Sequence, residues 1–265
     1  MVSELAKRIE GTKVQRGSLA IFWLIQGGFV FKTDKGKVIY VDPYLSDSAN
    51  RVYDLKRMVP VPMAPEEARA DLVVITHDHL DHLDPDTLIP MAESCNPKFV
   101  GPLSCVHHLR EIKISRDRIV ELNEGETKEV EDGITITAVH AEHPPEAVGY
   151  VFDFAGIKLY ISGDTKNHEK LREVANFHPD VVLICANGKP DNEYVNLNAD
   201  EAALLTKVIK PRVVMPMHYG LFADTHEDPQ TFLDALRIHE VSVQCVVMEF
   251  MGCYIYSKEI GRPLR

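Results

Sequence analysis

The run Thr76-His77-Asp78-His79-Leu80-Asp81-His82 places three imidazoles and the Asp81 carboxylate within six positions. Imidazole nitrogen and carboxylate oxygen together suit divalent transition ions, and pairs of such ions about 3.5–4 Å apart use mixed ligands of this kind. Side chains crowded on one tight turn splay two ways. His77 and His79 are therefore expected to reach one ion, and Asp81 and His82 a neighbouring one. A polar helix start that is merely rich in histidine is the plain alternative. A lone His-x-His would favour that alternative; the carboxylate and third imidazole that follow at once argue against it.

Such a turn has to be held by regular structure on both sides. The apolar run 72–75 reads as a buried strand, and Asp84-Pro85 reads as a helix N-cap followed by proline at the first helical position. The histidine turn thus lies between a strand and a helix. Upstream, residues 19–25, 29–32 and 37–41 form an antiparallel meander, with Gly27-Gly28 and Asp34-Lys35-Gly36 as its turns. Residues 42–65 are expected to be irregular and carry the cations Arg51, Lys56 and Arg57. These three are too few to grip nucleic acid but suit one anionic group on a substrate.

Downstream, the pattern predicts a helix over 85–94, a strand over 98–100 and a helix over 103–112. Short strands follow over 127–130, 134–139, 149–154 and 157–161. The remainder alternates: strand 181–185, helix 199–209, strand 213–217, helix 229–238 and strand 241–248. Two halves emerge, each a meander followed by α/β units. Two facing sheets with helices outside would bury all these apolar faces, an α/β four-layer αβ/βα sandwich. No proline-rich or low-complexity linker divides the chain, so residues 1–265 are expected to form a single domain.

Composition narrows the function. The formal net charge of -11 disfavours sequence-independent binding to phosphate backbones. The start of the chain lacks a secretory h-region, and no apolar stretch is long enough to span a bilayer; a cytoplasmic location is expected. The five cysteines contain no CxxC, which argues against a disulfide framework or a zinc knuckle. The expected partner is a small-molecule substrate, with neither nucleic acid nor membrane, and a homo-oligomer is left open.

Further ligand-type residues follow later strands. They are His140-Ala141-Glu142-His143 after 134–139, Ser162-Gly163-Asp164 after 157–161, and His218 after 213–217. Loops at strand ends are where binding groups gather. Taken alone, Asp164 could cap the segment near His168, and His218 could be a satisfied core histidine. His107, His108, His168, His178 and His239 read as solvated; His226 lies in a loop close behind His218.

Strand-THDHLDHLD, the later histidine, SGDT and MPMHYG together resemble the metallo-β-lactamase-fold hydrolases. Within these, GPLSCVHHL, ISGDT, ICANGKP and VVMPMHYGLFAD with the following DPQTF resemble the L-ascorbate-6-phosphate lactonase-like branch, whose namesake is longer and carries extra segments. The resemblance runs from Leu19 onward. It implies a binuclear centre, with His77, His79 and His143 on one ion, Asp81, His82 and His218 on the other, and Asp164 bridging. His143 is preferred over His140 because its place after the strand matches the family position.

The resemblance implies a metal-dependent hydrolase in which two divalent ions, manganese or zinc, share a bridging hydroxide. The substrate would be a small anionic ester or lactone such as L-ascorbate 6-phosphate. Asp81 is the expected catalytic residue, orienting the nucleophile or carrying a proton; Asn187 and Lys189 are candidates for substrate binding. Two other chemistries fit the same ligands: a phosphodiesterase, and a di-iron redox protein. The second would need a flavin or cysteine-rich electron partner, and the chain carries no such segment.

Overall fold

A computed structural model of the chain describes residues 2–189 and 196–258. The chain divides into two compact units, one comprising residues 1–121 with 249–265, the other residues 122–248.

The first unit holds strands β1 (Ser18–Ile25), β2 (Gly28–Thr33), β3 (Val38–Val41), β4 (Leu72–Val74), β5 (Lys98–Gly101) and β6 (Ile119–Glu121). The last strand of the chain, Cys253–Ser257, pairs antiparallel with β1, and β1 to β3 form the antiparallel meander. From β3 onward the pairing is parallel through β4 and β5 to β6. β1 to β4 are buried at every residue, so their sequences read as apolar runs more than as alternation. One face packs Ala20, Phe22 and Leu24 with Val30, Tyr40, Val73 and Phe99. The same core takes the apolar stripes of helices α1 (Glu4–Gly11), α3 (Pro85–Cys95) and α4 (Leu103–Glu111).

The second unit contains β7 (Thr127–Glu131), β8 (Ile134–His140), β9 (Val148–Phe154), β10 (Ile157–Ile161), β11 (Val181–Cys185), β12 (Val213–Met217) and β13 (Gln244–Cys245). Its order is β7-β8-β9-β10-β11-β12-β13, antiparallel to β10 and parallel thereafter. The two sheets thus repeat one pattern, three antiparallel pairings followed by three parallel ones. Helices α5 (Ala199–Ile209) and α6 (Pro229–Ile238) belong to this unit. An Asn198–Glu201 capping box starts α5, and Asp228 with Pro229 starts α6. Two mixed sheets with helices are thus present, as the alternation predicts.

Several expectations need correction. The strand expected over 241–248 shrinks to β13. Val246 N–H donates to Val214 O, so the even residues of β12 face β13, and the next of these is Pro216, which has no N–H to continue the ladder. The segment expected to be irregular over 42–65 contains helix α2 (Ser48–Tyr53). Helix α1, strand β6, the 3-10 helix Glu169–Phe177 and the strand Cys253–Ser257 lie outside the elements expected from the sequence. Among the described residues, no helix is long and apolar enough to cross a membrane.

Candidate metal centre

In the first unit, β3 and β4 run parallel and end side by side. Asp42 N–H, just past β3, donates to Val74 O at 3.0 Å, with Asp42 at φ 43°. This fold-back leaves the Asp42 carboxylate buried beneath the histidine turn. Its Oδ1 accepts Thr76 N–H at 2.8 Å, and its Oδ2 accepts the Thr76 hydroxyl at 2.6 Å and lies 2.8 Å from His82 Nδ1. The turn itself closes through Leu83 N–H to His79 O at 2.7 Å and His82 N–H to the same oxygen at 2.9 Å. It then enters α3 through the Asp84 cap, as the sequence predicts.

Proton accounting fixes two imidazoles. An ionised carboxylate only accepts, so His82 Nδ1 carries a hydrogen, and in the neutral ring the lone pair is on Nε2. The Thr76 hydroxyl has given its single hydrogen to Asp42, so toward His77 Nδ1, at 3.0 Å, its oxygen accepts. His77 is therefore also protonated on Nδ1, with its lone pair on Nε2. That Nε2 lies 3.1 Å from His79 Nδ1, and the His77 and His82 rings stand 4.1 Å apart. A carboxylate or hydroxyl behind an imidazole is the arrangement that orients metal-binding histidines and raises their basicity. The donor set fits divalent transition ions on these grounds.

Asp81 Oδ2 accepts Gln26 Nε2–H at 3.1 Å and lies 3.6 Å from His82 Nε2. Gln26 sits between β1 and β2 at φ 56°, where its carbonyl accepts the indole N–H of Trp23 at 3.1 Å. The adjoining Gly27 leaves room for His82; a Cβ there would come within 2.9 Å of His82 Cε1. Asp78 points elsewhere, pairing with His108 at 3.4 Å. His77, His79, Asp81 and His82 are thus brought together within this unit. Asp42, Thr76, Gln26 and Gly27 surround the candidate ligands and were not singled out as site residues from the sequence. The one signal available was Asp42-Pro43 directly after a strand, the same placement that marks the other ligand-type residues.

In the second unit, the SGDT turn follows β10. Ser162 N–H donates to Leu183 O at 3.0 Å, and the Ser162 hydroxyl accepts Cys185 N–H at 3.0 Å, tying the turn to β11. Asp164 and His218 are both buried, with Asp164 Oδ2 3.0 Å from His218 Nε2. His218 has φ 68°, a left-handed conformation unusual outside glycine, and His226 Nδ1 accepts Gly220 N–H at 3.1 Å just beyond it. Asn196 Nδ2 bridges Asn187 Oδ1 at 3.0 Å and His218 Nδ1 at 3.4 Å.

Asn187 is buried, and its own Nδ2–H donates to Thr225 O. Lys189 Nζ donates to Asp224 O at 3.4 Å. The amide of Asn187 is thus engaged behind His218. His143 lies half-buried in the loop between β8 and β9, whereas His140 turns to Glu124, Glu142 and His168. Cys185 is fully buried and its thiol is pushed up to about 12 by burial and by the Asp164 charge, which makes it a packing residue and not a nucleophile.

Comparison with known proteins bears on both halves. The family model described as beta-lactamase superfamily domain matches residues 37–219. A protein of Archaeoglobus fulgidus named UPF0173 metal-dependent hydrolase is 26% identical over 255 residues, covering 91% of this chain and 100% of its own. A Thermoplasma acidophilum protein of the same name is 28% identical over 257 residues, covering 93% and 98%. Igni18, described as a novel metallo hydrolase from Ignicoccus hospitalis, superposes with a TM-score of 0.74 at 22% identity, covering 91% of this chain and 99% of that one.

Proposed function

Since this chain belongs to the beta-lactamase superfamily domain family and is a metal-dependent hydrolase with the metallo-β-lactamase fold, we propose that it hydrolyses a small anionic ester or lactone at a binuclear centre. A sugar-phosphate lactone such as L-ascorbate 6-phosphate is the first substrate to try. In this reading His77, His79 and His143 hold one divalent ion, Asp81, His82 and His218 the other, and Asp164 bridges. Zinc and manganese both suit the ligand set.

The observation that carries the reading is the Asp42–Thr76 pair. It sets His77 and His82 in one tautomer before any ion arrives, with both Nε2 lone pairs presented from a single turn. A buried carboxylate used in this way has no comparable purpose in a solvated, histidine-rich helix start. Bound divalent ions supply Lewis acidity and bring the pKa of water near 7. Gln26 holds one oxygen of Asp81 by a hydrogen bond, which orients that carboxylate to accept or pass on a proton. Asn196, between Asn187 and His218, positions His218 from behind.

The test is turnover of a panel of lactones, carboxylate esters and bis-p-nitrophenyl phosphate by protein stripped with chelator and reloaded with zinc or manganese. Metal-dependent opening of an anionic lactone is expected. Turnover confined to the phosphodiester would replace this reading with a phosphodiesterase, and lactone or ester turnover by metal-free protein would overturn the centre itself.

A further inference from the structure

Apart from the residues assigned above, His140, Glu142 and His168 of the second unit bring three ligand atoms within 4.8 Å of one another. We infer that they form a separate divalent transition-metal site, of zinc type, sharing no residue with the binuclear centre proposed above.

His140 closes β8, and its Nδ1 lies 3.0 Å from Glu124 Oε2. The carboxylate only accepts, so Nδ1 carries a hydrogen, and in the neutral ring the lone pair is on Nε2. Among the described residues no hydrogen bond ends on Nε2, which is enclosed by the fold. The group facing it is Glu142 Oε2 at 3.3 Å, a second acceptor. The enclosed His140 Nε2 and the half-exposed Glu142 carboxylate thus face each other, an arrangement that a cation between them would satisfy.

A proton alone would satisfy His140 and Glu142, but it would not engage His168 beside them. The His168 ring lies 4.6 Å from that of His140, centroid to centroid. A metal ion satisfies all three groups together. For ligand bonds of about 2.0 Å in tetrahedral geometry, ligand atoms lie about 3.3 Å apart, which is the separation of His140 Nε2 from Glu142 Oε2. Glu124 behind His140 is the carboxylate–histidine backing that metal sites use, and Lys170 Nζ holds its other oxygen at 3.2 Å.

His168 caps the 3-10 helix Glu169–Phe177 by accepting Lys170 N–H on Nδ1 at a long 3.3 Å, a weak contact that coordination through either ring nitrogen would replace. The set of two imidazoles and one carboxylate leaves a position for water. The loop from His140 to Val148 also carries His143, so an ion here would pin that loop to the start of the 3-10 helix.

The experiment is zinc stoichiometry by elemental analysis and titration calorimetry on full-length protein stripped with chelator, using zinc alone as the probe. Glu142→Gln and His168→Ala should each lose one zinc equivalent, or bind it at least tenfold more weakly. A His77→Ala/His79→Ala variant should keep that equivalent. Glu142→Gln is nearly isosteric and exposed, so it remains informative if the histidine variant does not fold. Unchanged stoichiometry and affinity in Glu142→Gln would overturn the site. Failure of the binuclear reading is a separate result: His77→Ala/His79→Ala would then hold as much zinc as the parent.

Discussion

His82 donates its Nδ1 hydrogen to Asp42 Oδ2 at 2.8 Å across forty positions of sequence, and both side chains are buried. Asp42 Oδ2 also accepts the Thr76 hydroxyl, so one carboxylate sets the tautomers of His82 directly and of His77 through Thr76. Asp42→Asn puts an amide where that acceptor stood. Metal affinity is expected to fall about 10–100-fold, the usual effect of losing such a partner, with the fold retained by circular dichroism. Competition against a chelating dye measures it, and affinity within threefold of the parent would refute the role.

Gly27 tests the same histidine from its other side. A methyl group there would meet His82 Cε1 at 2.9 Å, closer than real contacts allow, and Nδ1 at a tight 3.2 Å, so the fully buried ring would have to shift. Gly27→Ala should displace the ring from Asp42 and cut turnover at least tenfold while secondary structure persists. Parent-level kcat/KM would show that the contact yields without consequence.

Asp81→Asn removes an anionic ligand while Gln26 still finds an oxygen to which it can donate. Turnover should drop by roughly two orders of magnitude or more, with part of the metal retained by the remaining donors. Steady-state kinetics alongside elemental analysis separates the two effects. Activity within threefold of the parent would take Asp81 out of the mechanism.

Arg57 is committed to its own loop. Its guanidinium donates to Ser46 O at 2.9 Å and Val59 O at 3.2 Å and stacks over the Tyr44 ring at 5.0 Å. Arg57→Ala should cost about 2 kcal/mol of stability, the scale of charge-assisted hydrogen bonds, seen in denaturant unfolding. Arg51, whose guanidinium meets Asp86 at 2.6 Å in the open, and the exposed Lys56 are the residues to replace if this segment recruits an anion. Their joint change to Ala should raise KM for an anionic substrate far more than for an uncharged analogue. Equal effects on both substrates would make the segment a connector only.

Burial raises the Asp84 carboxyl above its ordinary 3.8, against hydrogen bonds from Thr87, Ser46 and Ser48 that lower it. A folded-state value above the unfolded one means that the folded protein binds more protons between the two. The contribution of Asp84 to stability therefore grows as pH falls through the folded value and is complete below 3.8. At neutral pH the ionised group is a cost. Asp84→Asn keeps a cap acceptor and should be at least as stable as the parent at pH 7, with the gap closing on acidification toward pH 4. Thermal melts across that range check the sign, and a gap that widens in the variant's favour as pH falls would contradict it.

The elements flanking the histidine turn were legible because their physics is local. Strand β4 is an apolar run, Asp84 and Pro85 cap α3 within three residues, and ligand-type side chains stand directly after β8, β10 and β12. Periodicity, capping and residue chemistry over a few positions are enough for such features. Pairings across the chain were not legible. The Cys253–Ser257 strand joins β1 at the far end of the sequence, and Pro216 shortens β13 only because the even residues of β12 face it. Asp42 reads as a turn aspartate until β3 and β4 lie side by side and put its carboxylate under Thr76 and His82. His140, Ala141, Glu142 and His143 likewise share one stretch of sequence, and only the folded loop turns His140 toward Glu124 and His168. Sequence determined which groups could bind metal. Tertiary structure decided which carboxylate backs which imidazole, because a hydrogen's placement depends on what the chain brings within 3 Å of it, a distance set by packing and not by neighbours in sequence.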